Sequence, residues 1–459
     1  MLEEKKRIRK LAWIIAIYQI LGSYALIIIQ NYGNYIFTNV AKLSPAVTAT
    51  CMSVSSIFMI IASLLDGALV QNTRSKWGQF RPWYMFGIYV CVFSGYLMYL
   101  RFGNSVILTA VIVSIGYALP QEIMNLLYTA RIGMFTKMAN GNAEANVRFN
   151  AYNWLGTYCG YFIAGATTVP LVNFFGKGSE AVGFMGAHTV YGIACFIGYA
   201  ILVIAAKPYD RNNKDVAIVK EKRASLGDMF KSVFTNKPGR IVLICDIVRF
   251  TAYYALMNLI SYQCTYVLGD LETSATVFAV TNVGGLIGSY LVTPISDKLG
   301  RKTTMRIFDA LAGACLLSII FTGKTVMGLT VSVTLYMFFS AFTDGIDPAL
   351  YMDAGQYALA KTGKDTRSYF NSMYNVAVKA AVGLAGVVSN SILAMVHFDP
   401  DMVFDAAMKS RFTTLLAVGC FVFNAIALVL MFFHPLSDKE ADEITAANTA
   451  AENAALQQG

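Results

Sequence analysis

From end to end the chain alternates long apolar runs with short breaks rich in lysine, arginine and glycine. A bilayer-crossing helix needs about 20 mostly apolar residues. Twelve runs qualify: roughly 11–37, 45–71, 82–101, 105–134, 149–173 and 184–206, then 239–267, 274–295, 304–322, 327–358, 368–396 and 410–433. Several exceed what a bilayer requires, which allows for tilt or extension beyond the lipid. The expected fold is an all-α integral membrane protein of twelve transmembrane helices.

The polar breaks orient these spans. Cations cluster after span 2 (Arg74, Lys76, Arg81), span 4 (Lys137, Arg148), span 8 (Lys298, Arg301, Lys302) and span 10 (Lys361, Lys364, Arg367). They also fill the stretch after span 6, from Lys207 to Arg240. Positive breaks lie on the cytoplasmic side, so both termini are expected there, in a multi-pass protein of the plasma (inner) membrane. The basic break Asn72–Trp83 has a counterpart about 220 residues later, Ser296–Lys302. Two parallel halves are a transporter signature, with solute bound between them near the midplane. The expected organisation is a six-helix half over 1–206, a cytoplasmic linker over 207–238, a second six-helix half over 239–434 and a cytoplasmic tail over 435–459. The tail is polar and alanine-rich, and reads as a short surface helix or a disordered segment with no assigned function.

Composition agrees with the spans. Hydrophobic residues make up 56% of the chain and charged residues 14%, against about 25% charged in a soluble domain. The net charge of +9 does not point to nucleic acid, because the cations sit in the breaks. The eight cysteines lie in apolar runs without a CxxC pair, as buried small hydrophobes do. Met1–Lys10 is charged and precedes no cleavage pattern, so the first run is a retained helix. A GxxxxGK(S/T) loop and an HExxH motif are both missing, and the three histidines fall near span ends. An ATP-driven pump and metal or histidine catalysis therefore have no residues to use. A membrane-embedded transferase acting through buried aspartates would need a metal or donor-phosphate site, which no cluster suggests. The chain reads as a non-enzyme without cofactor, apart from a coupling proton or sodium ion.

The informative charges are those at membrane depth, where each costs about 2.5–3.5 kcal/mol on insertion scales and faces the protein interior. Asp246 and Arg249 in span 7 are three apart and share a helix face. Asp344 and Asp347 in span 10 share a face likewise, with Asp353 closer to the cytoplasm. Lys379 in span 11 completes a set of three carboxylates and two cations, with a formal charge of −1 if all ionise. That surplus acid suits a proton or cation that leaves during transport, while static ion pairing between helices is the competing reading. The Asp344-Gly345-Ile346-Asp347-Pro348 run loosens the helix, as a proline kink does or as a wet cavity tolerates. In the first half, Glu122 and Asn125 lie in span 4, and Ser23, Asn153 and Trp154 offer polar or aromatic contacts. Helix packing by such residues is an equal alternative for any one of them. Asp66 is expected to anchor the loop after span 2 by pairing with Arg74. Arg74, Asp297, Arg301 and Asp353 are candidate gating residues.

Asn72-Thr73-Arg74-Ser75-Lys76-Trp77-Gly78, with Phe80-Arg81-Pro82-Trp83, resembles the loop after helix 2 in the glycoside–pentoside–hexuronide:cation symporters, the melibiose permease group. Asp353-Ala354-Gly355-Gln356-Tyr357 is similar to that family's D-x-G-E-Y element, and Tyr266–Asp270 to the end of its helix 7. Lys379 matches a family lysine near the cation site. The resemblance covers nearly the whole chain, and implies the major facilitator fold and solute–cation symport. The chain departs from it at the sites. Met59 and Ser63 stand where the family places the two cation-binding acids of helix 2. Ser23, Asn125 and Asn153 stand where it places its charged sugar clamp.

These observations together lead to a secondary active transporter of a small organic solute, a glycoside or related sugar, coupled to a cation or proton and monomeric. Substrate contacts are assigned to Ser23, Glu122, Asn125, Asn153, Trp154, Arg249 and Lys379, and coupling to Asp246, Asp344, Asp347 and Lys379. The alternatives are a uniporter or exporter of a hydrophobic ring compound, and a solute sensor that does not transport. Partners are the solute, the coupling cation and membrane lipid.

Overall fold

A computed structural model describes residues 2–103, 105–140, 142–212, 235–363 and 367–458, and these are helical without any strand. Of the linker expected over 207–238, residues 213–234 lie outside the described residues, as does Lys364.

The helices in chain order are α1 (Leu2–Gly22, resuming as Tyr24–Tyr35 and a π-turn Ile36–Val40), α2 (Pro45–Asn72), α3 (Arg81–Gly95), α4 (Val106–Ala139), α5 (Ala143–Gly176) and α6 (Glu180–Ala206). After the linker come α7 (Lys237–Tyr262, with a π-turn Gln263–Leu268), α8 (Thr273–Leu299), α9 (Arg301–Thr322), α10 (Val326–Thr362), α11 (Arg367–Met395), α12 (Ala406–Phe432) and α13 (Asp438–Gln458).

Local chemistry sets many of the boundaries. Ser44, Ser105, Asn142, Asn236, Thr325 and Asp405 each accept a hydrogen bond from a first-turn backbone N–H of the helix that follows, which satisfies one otherwise unpaired donor. Asn140 ends α4 and Gly363 ends α10 in the left-handed conformation, at φ 51° and 66°, as residues at C-termini of helices commonly do.

Among the described residues, eleven helices are long and apolar enough to cross a membrane. The remaining expected span is α3. It is only 15 residues long and tightens into a 3₁₀ turn, Tyr96–Tyr99. There Gly116 of α4, lacking a side chain, lets the Leu97–Met98 backbone approach. The twelve-span reading holds with one span shortened.

Packing repeats itself under a shift of six helices. α1 packs on α5 and α6, as α7 packs on α11 and α12. α4 packs on α2 and α3, as α10 packs on α8 and α9. α3 meets α6, as α9 meets α12. The two main contacts between the first six and the last six helices, α2–α11 and α5–α8, correspond by the same shift. Small residues bring backbones together: Gly156 and Gly160 face Ala16 and Ile20 in α1, and Gly284 and Gly288 face Thr334 and Phe338 in α10. Close approach through small residues at four-residue spacing is the usual way helices associate in lipid.

The tail is helical rather than disordered. Ser437 and Glu440 form a reciprocal capping box, with Ser437 N–H and hydroxyl donating to Glu440 Oε2 at 2.8 and 2.7 Å and Glu440 N–H donating to Ser437 Oγ at 3.2 Å. α13 then lies against the end of α10, where Asn448 donates to the Gln356 carbonyl and side-chain oxygens at 3.0 and 2.8 Å.

Candidate functional site

α7, α9 and α10 build a buried charge cluster in the second half. Arg249 is 1% exposed and pairs with Asp246 at 3.1 Å, with Asp344 at 3.7 Å and with Asp347. The i,i+3 spacing within α7 and within α10 places each pair on one face, as the sequence implies. A fifth member was missed by the sequence reading. Asp309 of α9 is 1% exposed, lies within electrostatic reach of Arg249, and has both carboxylate oxygens buried without a hydrogen-bond partner. An acid at the sixth position of the apolar run 304–322 was the available signal. Tyr351 stands beside Asp246. Four carboxylates thus face one guanidinium, a formal charge of −3 if all ionise. Three of them are sealed, and Asp344 is not: its side chain is 45% exposed.

Lys379 does not join this cluster, which corrects the expected five-charge set. It extends from α11 across to the first half, where its Nζ meets Glu122 Oε2 at 2.5 Å and the Met59 carbonyl at 3.3 Å. Its own carbonyl accepts from Ser56 of α2. Asp66 is likewise not a loop anchor. It is buried on α2, accepts from Asn125 Nδ2 at 2.5 Å and lies beside Glu122. Arg74 instead donates to the carbonyls of Gln71 and Thr73. A second polar cluster, Asp66, Glu122, Asn125 and Lys379, therefore sits on the α2–α11 contact between the halves.

The remaining expected substrate groups do not converge. Ser23 donates to the Gln19 carbonyl of its own helix at 2.7 Å and is covered by Gly160. Asn153 is 1% exposed, with a buried side-chain oxygen lacking a partner. Trp154 is exposed and packs on Tyr158 with ring centroids 6.2 Å apart.

Of the proposed gating residues, Arg301 pairs with Asp353 at 3.5 Å and with Asp442 of α13 at 2.7 Å. Asp297 is exposed and takes no part in that group. The loop after α2 is held by a residue the sequence reading passed over. Asp210 is fully buried and accepts from the backbone N–H groups of Gln79, Phe80 and Arg81 at 3.0, 2.7 and 2.8 Å, and from Lys137 at 2.9 Å. Gly78, at φ 101°, leaves room for Asp210 where any side chain would collide.

Hydrogen bonds close the end of the bundle opposite the termini. Tyr262 of α7 shares its hydroxyl with Thr38 at 2.6 Å and with Asn34 at 3.3 Å, and Asn39 donates to Tyr266 at 2.6 Å. Asn390 of α11 donates to Asn34 at 2.8 Å, and Tyr32 meets Ser274 of α8 at 3.0 Å.

A membrane bundle of two repeated halves, closed at one end and with charge clusters buried within and between the halves, is the architecture of a membrane transporter. The chain belongs to the MFS/sugar transport protein family, whose model matches residues 16–438. It is accordingly a multi-pass secondary transporter of the major facilitator fold, and not an enzyme. Over 314 residues it is 23% identical to the inner membrane symporter YicJ of Escherichia coli K12, spanning 68% of this chain and 65% of that one. It is 22% identical to the glucuronide carrier protein homolog of the same organism, over 89% of this chain and 88% of the relative. The isoprimeverose transporter of Lactiplantibacillus pentosus is also 22% identical, over 88% and 84%. The fold is shared with an inward-facing bacterial homolog of the human lysosomal transporter Spinster, at TM-score 0.65 and 12% identity over 96% of this chain and 98% of that one. It is shared too with the nucleoside transporter NupG, at TM-score 0.60 and 15% identity over 92% and 98%.

Proposed function

We propose that this transporter is a solute–proton symporter that moves a small organic solute, a sugar or glycoside, across the plasma membrane with both termini in the cytoplasm. Residues 1–206 and 239–434 are the two bodies that alternate access. The symporter, glucuronide-carrier and isoprimeverose relatives support the solute class. The observation that carries the proton reading is Asp344, the exposed member of an otherwise sealed cluster with surplus acid.

Four carboxylates around one guanidinium cannot all remain charged in a lipid-embedded interior without a large desolvation cost. Protons therefore reside in the cluster, and Asp344 is the member that can exchange them with water. A proton gained or lost there changes how Arg249 divides its hydrogen bonds between α7 and α10, which biases the two access states.

In liposomes, Asp344→Asn should reduce uptake driven by an imposed pH gradient at least tenfold, while gradient-free exchange of the same solute persists. PH-driven uptake that survives both Asp344→Asn and Asp309→Asn overturns the reading. Sodium coupling at Asp66 and Glu122 is the second reading, favoured by the closeness of these two acids on the α2–α11 contact. Uptake driven by a sodium gradient and abolished by Asp66→Asn would select it.

A further inference from the structure

The outer flank of the second half carries two cations that neither charge cluster uses. Lys302 and Arg306 lie one turn apart near the start of α9 and share one face of it. That face meets the end of α12. Arg306 Nη2 donates to the Met431 carbonyl at 3.2 Å, and Lys302 Nζ donates to the His434 carbonyl at 3.0 Å. The Arg306 guanidinium carbon lies 4.6 Å from the centre of the Phe432 ring, and its Nε is buried without a hydrogen-bond partner. Neither cation forms an ion pair among the described residues. The acids within electrostatic reach of Lys302 are Asp438 and Glu440 of α13. Asp438 is shared with Arg301, and Glu440 is taken up in the capping box with Ser437. Carbonyl oxygens thus hold Lys302 and Arg306 in place without neutralising them.

The surface around these cations is one that lipid covers. Val422, Ile426, Val429 and Phe432 are exposed along one side of α12, and Phe433 extends the row. Ile307, Leu311 and Phe321 are exposed on α9. α9 packs mainly on α10 and α12, which leaves this apolar side turned outward. Phe432, the ring beneath Arg306, is 60% exposed and belongs to that row, so the guanidinium stands at the rim of the bundle and not in its core. The apolar row stops at Phe433, and the polar helix α13 begins at Asp438. Lys302 and Arg306 therefore lie where apolar surface gives way to polar, the level at which headgroups flank the hydrocarbon.

We propose that Lys302 and Arg306, with Phe432 and Phe433, form a binding site for an anionic phospholipid in the leaflet on the side of the termini. A planar guanidinium takes a phosphate through two parallel hydrogen bonds, and a lysine adds a point charge with donors to spare. Basic pockets between helices at this level select anionic headgroups. The exposed rows of α9 and α12 receive the acyl chains. The bound lipid ties the start of α9 to the end of α12, beside the joint from which α13 departs.

Phosphatidylglycerol and phosphatidylcholine of equal chain length, added to the purified protein in neutral detergent, serve as probes. Native mass spectrometry should show phosphatidylglycerol retained about tenfold over phosphatidylcholine, and Arg306→Gln and Lys302→Gln should each lower that ratio about fivefold. The ratio is taken within one protein, so a loss of stability alone does not move it, and size-exclusion elution confirms that each variant is folded. Lys298→Gln, which removes an exposed cation at the end of α8, should leave the ratio unchanged. Phosphatidylglycerol should also raise the melting temperature of the wild type, where inorganic phosphate does not. Equal retention of the two lipids by wild type, or an unchanged ratio in both folded variants, overturns the site. An equal loss in Lys298→Gln replaces it with diffuse surface charge, and equal stabilisation by inorganic phosphate overturns the lipid as its occupant.

Discussion

Lys379 and Glu122 form a nearly sealed ion pair between the halves. Removing one partner strands the other charge, which costs about 3–5 kcal/mol for a buried pair. Lys379→Met should therefore lower the melting temperature sharply, and Lys379→Met combined with Glu122→Gln should recover most of it. A double-mutant cycle on purified protein measures the coupling, and additive losses would contradict a direct pair. At this scale the sequence conveyed depth but not direction. It placed Asp246, Arg249, Asp344, Asp347, Glu122 and Lys379 inside the membrane, because a charge in an apolar run is visible by itself. The side toward which each helix turns that face depends on its neighbours. For that reason Lys379 was grouped with the wrong half and Asp66 was assigned to the wrong partner. Asp309 was visible by the same signal and was passed over.

Single side chains at the ends of helices hold whole elements in place. Asp210 closes the loop after α2 with three backbone hydrogen bonds and one ion pair. Asp210→Ala would leave those donors and Lys137 unpaired, and should destabilise the first half by about 3–5 kcal/mol, seen as a lower melting temperature and faster proteolysis between Gln71 and Phe80. The loop's own motif was legible, but its anchor lies about 130 residues away in sequence. His434, in the joint between α12 and α13, is 6% exposed. Burial, followed by the nearby Lys302, pushes its pKa down from 6.5 to about 4. The unfolded joint binds a proton more readily than the folded one, so the stabilisation is complete above pH 6.5 and is lost as pH falls toward 4. The protection of α13 amides, corrected for the intrinsic exchange rate, should therefore fall between pH 6.5 and 4.5, and His434→Gln should flatten that dependence.

For the molecule as a whole, the number of spans and the parallel halves were readable from hydropathy and from the spacing of the basic breaks. The six-helix shift in packing was not, because it lies in which helices touch. The closed end belongs to this scale too, since its hydrogen bonds join α1 to α7, α8 and α11. Tyr262→Phe removes a hydroxyl shared by Thr38 and Asn34. Losing about 1–2 kcal/mol there shifts the balance between access states by roughly 5–30-fold. A cysteine placed at the buried Asn390 should then react with a membrane-impermeant thiol reagent several times faster than in the parent protein. An unchanged rate would mean that the closure does not depend on this network.

The attachment of α13 has a practical consequence for imaging. Its hydrogen bonds and ion pairs reach α9 and α10 of the second half, so the helix travels with that body. A helical protein fused in register after α13 would serve as a rigid fiducial marker. It would give a small, featureless particle the asymmetric mass needed for alignment, and its angle to the first half would record the rocking of the transporter image by image.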